Sequence, residues 1–581
     1  MRDPDHTNKV MKNIKLIMLL AFAMALAHSQ GYAQTKTSQE MSGIVQTDEL
    51  MAREKALENK IKEKRKKPEV KEEVPTEAPS ALPAEKVLIK NIKITGATLI
   101  PESELRKIAE PFEKRELALT EMQKVVDLIT DAYRKKGYIT SRAYIPPQKI
   151  ENSIFEIRIV EGKMGDVEVK GNWYFKSSLF KKKFDLKKNE PFNYYILTKA
   201  LRRINEYPDR NAKAVLTPGK EAGATDVILE VKESLPIHAG WNYDNYGSRY
   251  ILNNRYQFNV QHNNLLGMED MFNINYMISE GEAYRMIGGS YVLPVTDKFK
   301  LGFSAMWSKL HLLNDYAPLE VRGESGIYSL FATQNIAYED NFTMNLNAGF
   351  DIKDIFNYQY DQATSSDKMR VAKIGFDADS TDTYGRTVMS GEVDIGIPGF
   401  MGGLKSKDPR ASRDGSGGEF AKFIMNLLRL QPMPFSSTIL VKNQLQLSTK
   451  TLTATEQYQI GGVINVRGYP SAELVGDNGF SSTVEWYFPP YIIPKDIKIP
   501  FTKTTFYDSV RLVAFYDYGM VRLRRPGPSE KKFNQLSDFG WGVRFNLPKN
   551  FSFKAEFACP VDKESSDGKD LRTWLQLAVN F

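Results

Sequence analysis

Leu575-Gln576-Leu577-Ala578-Val579-Asn580-Phe581 closes the chain, and its reading decides the fold. Side chains along a strand alternate between two faces. Leu575, Leu577, Val579 and Phe581 therefore share one face, and Gln576, Ala578 and Asn580 the other. The same texture recurs upstream. Phe551, Phe553, Ala555 and Phe557 alternate with Ser552, Lys554 and Glu556, and Tyr256, Phe258 and Val260 with Arg255, Gln257 and Asn259. From about residue 235 onward this alternation dominates. It divides into about sixteen strands at roughly 22 residues each with their turns, a spacing that suits tilted membrane-crossing strands. A row of soluble β-sandwiches would need apolar faces turned toward each other. Here the other face carries Arg, Lys, Glu and Gln throughout, as the wall of a wet lumen would. The expectation is a transmembrane antiparallel β-barrel over residues 235–581.

The bulk properties agree with that reading. The 581 residues have a mean hydropathy of −0.41 and are 42% hydrophobic. Beyond the N-terminus no stretch approaches the roughly 18 unbroken apolar residues of a spanning helix. Barrel strands need no such run, because they are apolar on one face only. A net charge of +8 is a small surplus on a chain this long and speaks against nucleic acid as a partner. The single cysteine, Cys559, excludes an internal disulfide and any multi-cysteine metal site. Near the start, Met11-Lys12-Asn13-Ile14-Lys15 is basic, Leu16 to Ala27 is mostly apolar, and Gly31-Tyr32-Ala33 supplies small residues. That is the pattern of a secretory signal peptide, assigned to residues 1–34, with Met11 as an alternative start of translation.

Two kinds of segment separate the signal from the barrel. In residues 35–86, Thr47-Asp48 can cap a helix running to about Lys66, with Leu50, Leu57 and Ile61 as its only apolar edge. Some twenty helical residues would reach about 30 Å. From Lys67 to Glu85 the chain is rich in Pro, Glu and Lys and reads as an extended, disordered linker. Residues 87–162 then read as a β-α-α-β-β module. Its second helix is expected to start at a Thr120/Gln123 capping box and to stop at Lys136-Gly137, with strands at 138–145 and 153–160. Residues 163–234 repeat that order, with helices near 176–184 and 193–206 and strands near 212–216 and 226–231. The lysines at 181–183 and 187–188 read as a solvated helix face rather than an attractor of acidic cargo.

Three barrel segments depart from simple alternation. Val466-Arg467-Gly468-Tyr469-Pro470 lies in a connection of about thirty residues, long for an ordinary hairpin. Gly476-Asp477-Asn478-Gly479 follows, with Glu485 on the next strand and Phe515-Tyr516-Asp517-Tyr518-Gly519 on the one after. Phe515 and Asp517 share a face. An arginine there can make a forked hydrogen bond to Asp517 and stack on Phe515, pinning the loop inside the barrel. Taken alone, Arg-Gly-Tyr could equally be a turn. An outer-membrane enzyme is a poorer reading. After the signal only His238, His262 and His311 are available as imidazole bases, and no Gly-x-Ser-x-Gly element is present. No catalytic residue, metal or cofactor is expected.

Together these motifs resemble a family. The chain is similar to the outer-membrane transporters of two-partner secretion, of the haemolysin secretion/activation type, within the superfamily that joins POTRA domains to a barrel. Gly137 to Gln148, with Tyr138, Arg142, Pro146, Pro147 and Gln148, and then Glu161-Gly162, resembles its POTRA signature. Asp244-Asn245-Tyr246-Gly247-Ser248 and Asn264 to Asp270 resemble its first hairpin, although Met268-Glu269 stand where a Gly-x-Gly run is common. Val466, Arg467, Gly468 and Tyr469 match its loop motif, and Phe515 and Asp517 resemble the strand motif that receives it. The resemblance implies two periplasmic POTRA domains, a plug helix resting in the pore, and ATP-independent export of an unfolded exoprotein encoded nearby. It places the barrel in outer-membrane lipid after insertion by the barrel-assembly machinery. POTRA domains would bind the exoprotein at a sheet edge, such as Ala212–Leu216 or an edge of the first module. The alternative is an assembly factor of the same superfamily, which inserts other barrels; those usually differ in POTRA count and lack the plug helix.

Overall fold

The computed structural model describes residues 57–58, 61, 69–72, 86–184, 187–500, 502–528, 530–547 and 551–581. The signal peptide, most of the expected plug helix and most of the linker lie outside the described residues. The chain forms two units. One holds residues 64–236 with Asn263–Asp270, and the other holds the remainder from Ile237 on, together with the described residues before 64.

The larger unit is a closed barrel of sixteen antiparallel strands, from Ile237–Asp244 to Arg572–Asn580. Closure pairs the first strand with the last, Gly240 opposite Asn580 through Asp244 opposite Gln576. Its burial is inverted relative to a soluble protein. Over residues 538–544 of the strand Phe533–Leu547, Phe539, Trp541 and Val543 are exposed, while Asp538, Gly540, Gly542 and Arg544 alternate with them and are buried. Apolar outward and polar inward is the pattern lipid imposes, because unpaired backbone groups and charges are costly there. The lumen is only partly wet. Glu456, Asp477, Glu485, Asp517 and Glu556 are all fully buried, because the connection Thr449 to Asp477 folds inward and covers them.

The smaller unit contains two modules with separate cores, one around Ile92, Val125, Ile129 and Phe155, the other around Phe180, Leu197, Leu201 and Leu229. The first module differs from the expected β-α-α-β-β order. Arg115–Ala118 forms an additional short strand between the helices and pairs with Lys86–Ile89. Its second helix, Leu119–Lys135, starts before the expected capping box. Glu121, not Gln123, reaches back to accept the Ala118 N–H at 3.0 Å, and Gln123 bonds Asp127 instead. The strand expected at 138–145 shortens to Arg142–Tyr144, because Tyr138 to Ser141 makes a turn closed by the Ser141 N–H on the Tyr138 carbonyl.

The linker also departs from its reading. Val70–Glu72 forms a parallel strand against Ala214–Leu216 of the second module, and Lys213 pairs with Glu69 at 2.6 Å. An extended polar segment needs no core of its own to do this, because main-chain groups supply the pairing. The edge expected to receive cargo is thus already occupied by the chain itself.

Candidate functional site

The long connection descends into the barrel and is held at two places. Its tip carries Val466 to Tyr469. Arg467 is 2% exposed, and three barrel strands supply carboxylates to its guanidinium. Nε and Nη2 form a fork on Asp517 at 2.8 and 2.9 Å, and Nη1 donates to Glu485 at 2.8 Å and to Glu556 at 3.2 Å. The guanidinium also lies over the Phe515 ring, 3.4 Å from its centroid. A planar, five-donor cation is the side chain that can meet three anions and one ring at once.

The neighbouring residues make the seat. The Gly468 N–H donates to Asp538 at 2.7 Å, and a side chain there would collide with Asp538 and Pro560. Tyr469 is buried and exchanges hydrogen bonds with the main chain of Lys563. Val466 packs with Ile460, Val521 and Leu536, in space left by Gly519; a Cβ at Gly519 would stand 2.8 Å from Val466 Cγ2. The Arg467 carbonyl accepts from the Trp574 indole at 2.8 Å, which ties the tip to the last strand. The structure therefore brings Val466, Arg467, Gly468, Tyr469, Phe515 and Asp517 together in one site.

Sequence reasoning missed several participants. Arg544 binds the same two carboxylates as Arg467, Glu485 at 3.1 Å and Glu556 at 2.5 Å. The four groups form a ring of alternating charge. Asp538 stands directly opposite Asp517 across two paired strands. The second hold is Glu456, on the descending limb. Fully buried, it accepts from Lys353 at 2.9 Å and Lys422 at 2.6 Å, which come from two non-adjacent strands. Asp477 at the end of the connection receives Arg413 at 2.7 Å. No local pattern in the sequence marks Arg544, Asp538 or Glu456, because their meeting depends on barrel register.

The described part of the N-terminal segment also lies in the lumen. Leu57 and Glu58 are helical. Ile61 is buried against Val388, Leu428 and Leu440, with Leu57 packed alongside. Glu58 pairs with Lys442 at 3.3 Å, and Lys442 in turn stands 3.7 Å from Glu485.

The POTRA signature residues build the first module rather than a pocket. Tyr138 packs on its core and meets Tyr133 edge-on, with centroids 6.3 Å apart. Gln148 pairs with both main-chain groups of Glu156, at 2.7 and 2.8 Å. Pro146 is buried; Arg142 and Pro147 are exposed. The Gly162 N–H donates to the buried Ser141 hydroxyl, and a side chain at 162 would strike Thr140. Glu161 accepts from the N–H groups of Thr98 and Leu99, from the Thr98 hydroxyl, and from the Tyr133 hydroxyl at 2.8 Å. Partial burial pushes its carboxyl pKa up, but these hydrogen bonds outweigh burial and hold it below the ordinary glutamate range. A carboxylate depressed in this way stabilises the fold above its unfolded pKa, and that stability is lost as pH falls through the folded value. Melting of the first module should therefore fall below about pH 4.5 more steeply in the wild type than in Glu161→Gln. Parallel pH profiles, followed by circular dichroism, would remove Glu161 from that role.

In the second module Lys183 is not on the solvated face expected of it. It is buried, paired with Glu269 at 2.7 Å, and lies over the Tyr207 ring.

Known proteins bear on this geometry. The family model "Haemolysin secretion/activation protein ShlB/FhaC/HecB" matches residues 223–545, and "POTRA domain, ShlB-type" matches residues 87–162. The heme/hemopexin transporter protein HuxB of Haemophilus influenzae is 22% identical over 497 residues, covering 82% of this chain and 84% of its own. The outer membrane transporter CdiB of Escherichia coli is 23% identical over 403 residues, 67% of each chain. The solved structure of CdiB from Escherichia coli has the same fold, with a TM-score of 0.68 at 20% identity, over 95% of this chain and 99% of that one. With the first of these models spanning more than half of its length, the chain belongs to the ShlB/FhaC/HecB haemolysin secretion/activation family of outer-membrane transporters.

Proposed function

We propose that the chain exports one unfolded exoprotein, encoded nearby, from the periplasm through its barrel lumen, and that the Arg467 seat positions the loop that makes export possible. The observation that carries this reading is the buried arginine on a mobile type of element, a loop, meeting carboxylates from three rigid strands. Together with Glu456 on Lys353 and Lys422, this seat gives the connection from Thr449 to Asp477 a reason to stay inside the pore. In this reading residues 1–34 direct export, the helix around Ile61 fills the lumen at rest, and residues 87–162 and 163–234 are the two POTRA domains. Transport uses no ATP; folding of the cargo outside makes it directional. Barrel insertion depends on the assembly machinery, and the seat performs no enzymatic step.

Cargo arrives by adding a strand to a sheet edge, where main-chain hydrogen bonds give affinity without strict sequence demands. Two edges suit. Arg142–Tyr144 is an outer strand of the first module's three-stranded sheet, and Arg210–Pro218 is an outer strand of the second module's own sheet. A cargo strand using the latter has to displace Val70–Glu72. Photocrosslinking residues at Tyr144 and Lys213 should capture the exoprotein during secretion, and at Lys213 excess cargo should abolish crosslinks to the linker. Secretion with capture at neither position would refute strand addition.

A further inference from the structure

A solvent-exposed turn ordinarily turns its polar side chains outward and its apolar ones in. Asn263–Asp270 does the reverse. Asp270 is buried and accepts from the N–H groups of Leu266 and Met268 at 3.0 and 3.2 Å. Asn264 accepts from the Glu269 N–H at 2.9 Å and donates to the Tyr174 carbonyl at 2.9 Å. Glu269 is buried against Lys183 and against Arg210 at 2.6 Å, whose guanidinium lies among the rings of Phe175, Phe180 and Tyr207. With its polar groups locked inward, the turn presents Leu265, Leu266 (60% exposed) and Met268 to the outside.

The segment fastened to this turn continues the same surface. Trp173 is 89% exposed and Tyr174 is exposed beside it. Both are held by main-chain N–H groups donating to Glu233 at 2.7 and 2.6 Å, so they do not protrude for want of structure. Lys176 lies against the turn; a Cβ on Gly267 would stand 3.4 Å from its Nζ. Leucines, a tryptophan, a tyrosine and a lysine on one rigid patch are the composition of a membrane–water interface, where aromatic rings sit at headgroup depth and lysines reach the phosphates.

We propose that this patch is a lipid anchor that seats the second POTRA domain on the periplasmic leaflet of the outer membrane. Chain continuity selects phospholipid as the occupant. The turn joins the strands Arg255–His262 and Met271–Ser279, whose outward residues Phe258, Val260, Ile274 and Tyr276 belong to the lipid-facing surface of the barrel. Leu265 follows Val260 by five residues, so the chain passes from a lipid-facing strand into the patch within one turn. Exposed Lys181 and Lys182 add positive charge in the same module, favouring an anionic leaflet. The anchor goes beyond export itself: it fixes the second domain against the bilayer by its own contacts with lipid.

The test uses the full chain with Cys559→Ser, carrying a nitroxide at Trp173→Cys, at Leu266→Cys, or at Leu128→Cys, an exposed position on the first module. Each is reconstituted into phosphatidylethanolamine/phosphatidylglycerol vesicles without exoprotein, and heat-modifiable migration verifies the barrel. Oxygen accessibility should exceed that of a nickel chelate severalfold at 173 and 266, with the order reversed at 128. Aqueous values at all three positions overturn the proposal. So does protection at 173 and 266 that appears only when exoprotein is added, which would assign the patch to cargo. Where Leu266→Cys fails to insert, brominated phospholipid in the same vesicles should quench wild-type fluorescence more than that of Trp173→Phe. Equal quenching overturns the proposal as well.

Discussion

Arg467→Ala yields a barrel that inserts and migrates as a folded protein but no longer secretes its exoprotein. The strand pairings that close the barrel do not involve the loop, so the fold survives. The loop does not. Removing the guanidinium leaves Asp517, Glu485 and Glu556 buried with one cation fewer, and breaking a buried pair by deleting one partner costs about 3–5 kcal/mol. Arg544 still neutralises Glu485 and Glu556, which is why the wall remains intact while the loop loses its seat. Arg467→Lys should not rescue, because an ammonium cannot make the fork on Asp517 while stacking on Phe515 and reaching a second strand. Exchanging charges, Arg467→Asp with Asp517→Arg, should fail too. Two-partner logic would favour the swap, but an aspartate at 467 would face Glu485 and Glu556. Secretion by the wild-type yardstick in Arg467→Ala cells would remove the loop seat from the mechanism.

Deleting residues 35–85 raises single-channel conductance in planar bilayers and leaves secretion largely intact. Leu57 and Ile61 occupy the lumen against Val388, Leu428 and Leu440, and their removal opens that space. Among the described residues, burial of Ile61 contributes about 1.5–3 kcal/mol, beside the Glu58–Lys442 pair and the donation of Arg386 to the Ile61 carbonyl, each at 3.3 Å. The same deletion bares the Ala214–Leu216 edge, so cargo should bind the deleted chain more tightly. Unchanged conductance would mean that these residues do not obstruct the path of ions.

The barrel was legible because its signal is carried by every strand. Period-two alternation survives any error in a single boundary, and the polar face excludes a soluble sandwich. Arg467 and Asp517 were legible because each lies in a short motif that breaks the alternation. Arg544, Asp538, Glu556 and Glu456 were not. Each is one inward charge among many on its strand, and only barrel curvature decides which of them meet. Lys183 and Glu269 illustrate the same limit, since a lysine in a run of lysines reads as solvated until its partner, 86 residues away, is in place. Val70–Glu72 shows another. A Pro-, Glu- and Lys-rich composition argues against a core, yet says nothing about main-chain groups lent to a neighbouring edge.

Passage of the partner through the lumen is tested most directly by photocrosslinking a stalled exoprotein from two faces of one strand. In Arg386–Gly396, Ser390 shares the inward face with Val388, which packs on Ile61, whereas Ile395 lies on the exposed face. With an exoprotein halted by a folded C-terminal domain, a photoreactive residue at Ser390 should capture it, and one at Ile395 should not. Capture at Ile395 alone, or at neither position while secretion continues, would contradict a route through the barrel.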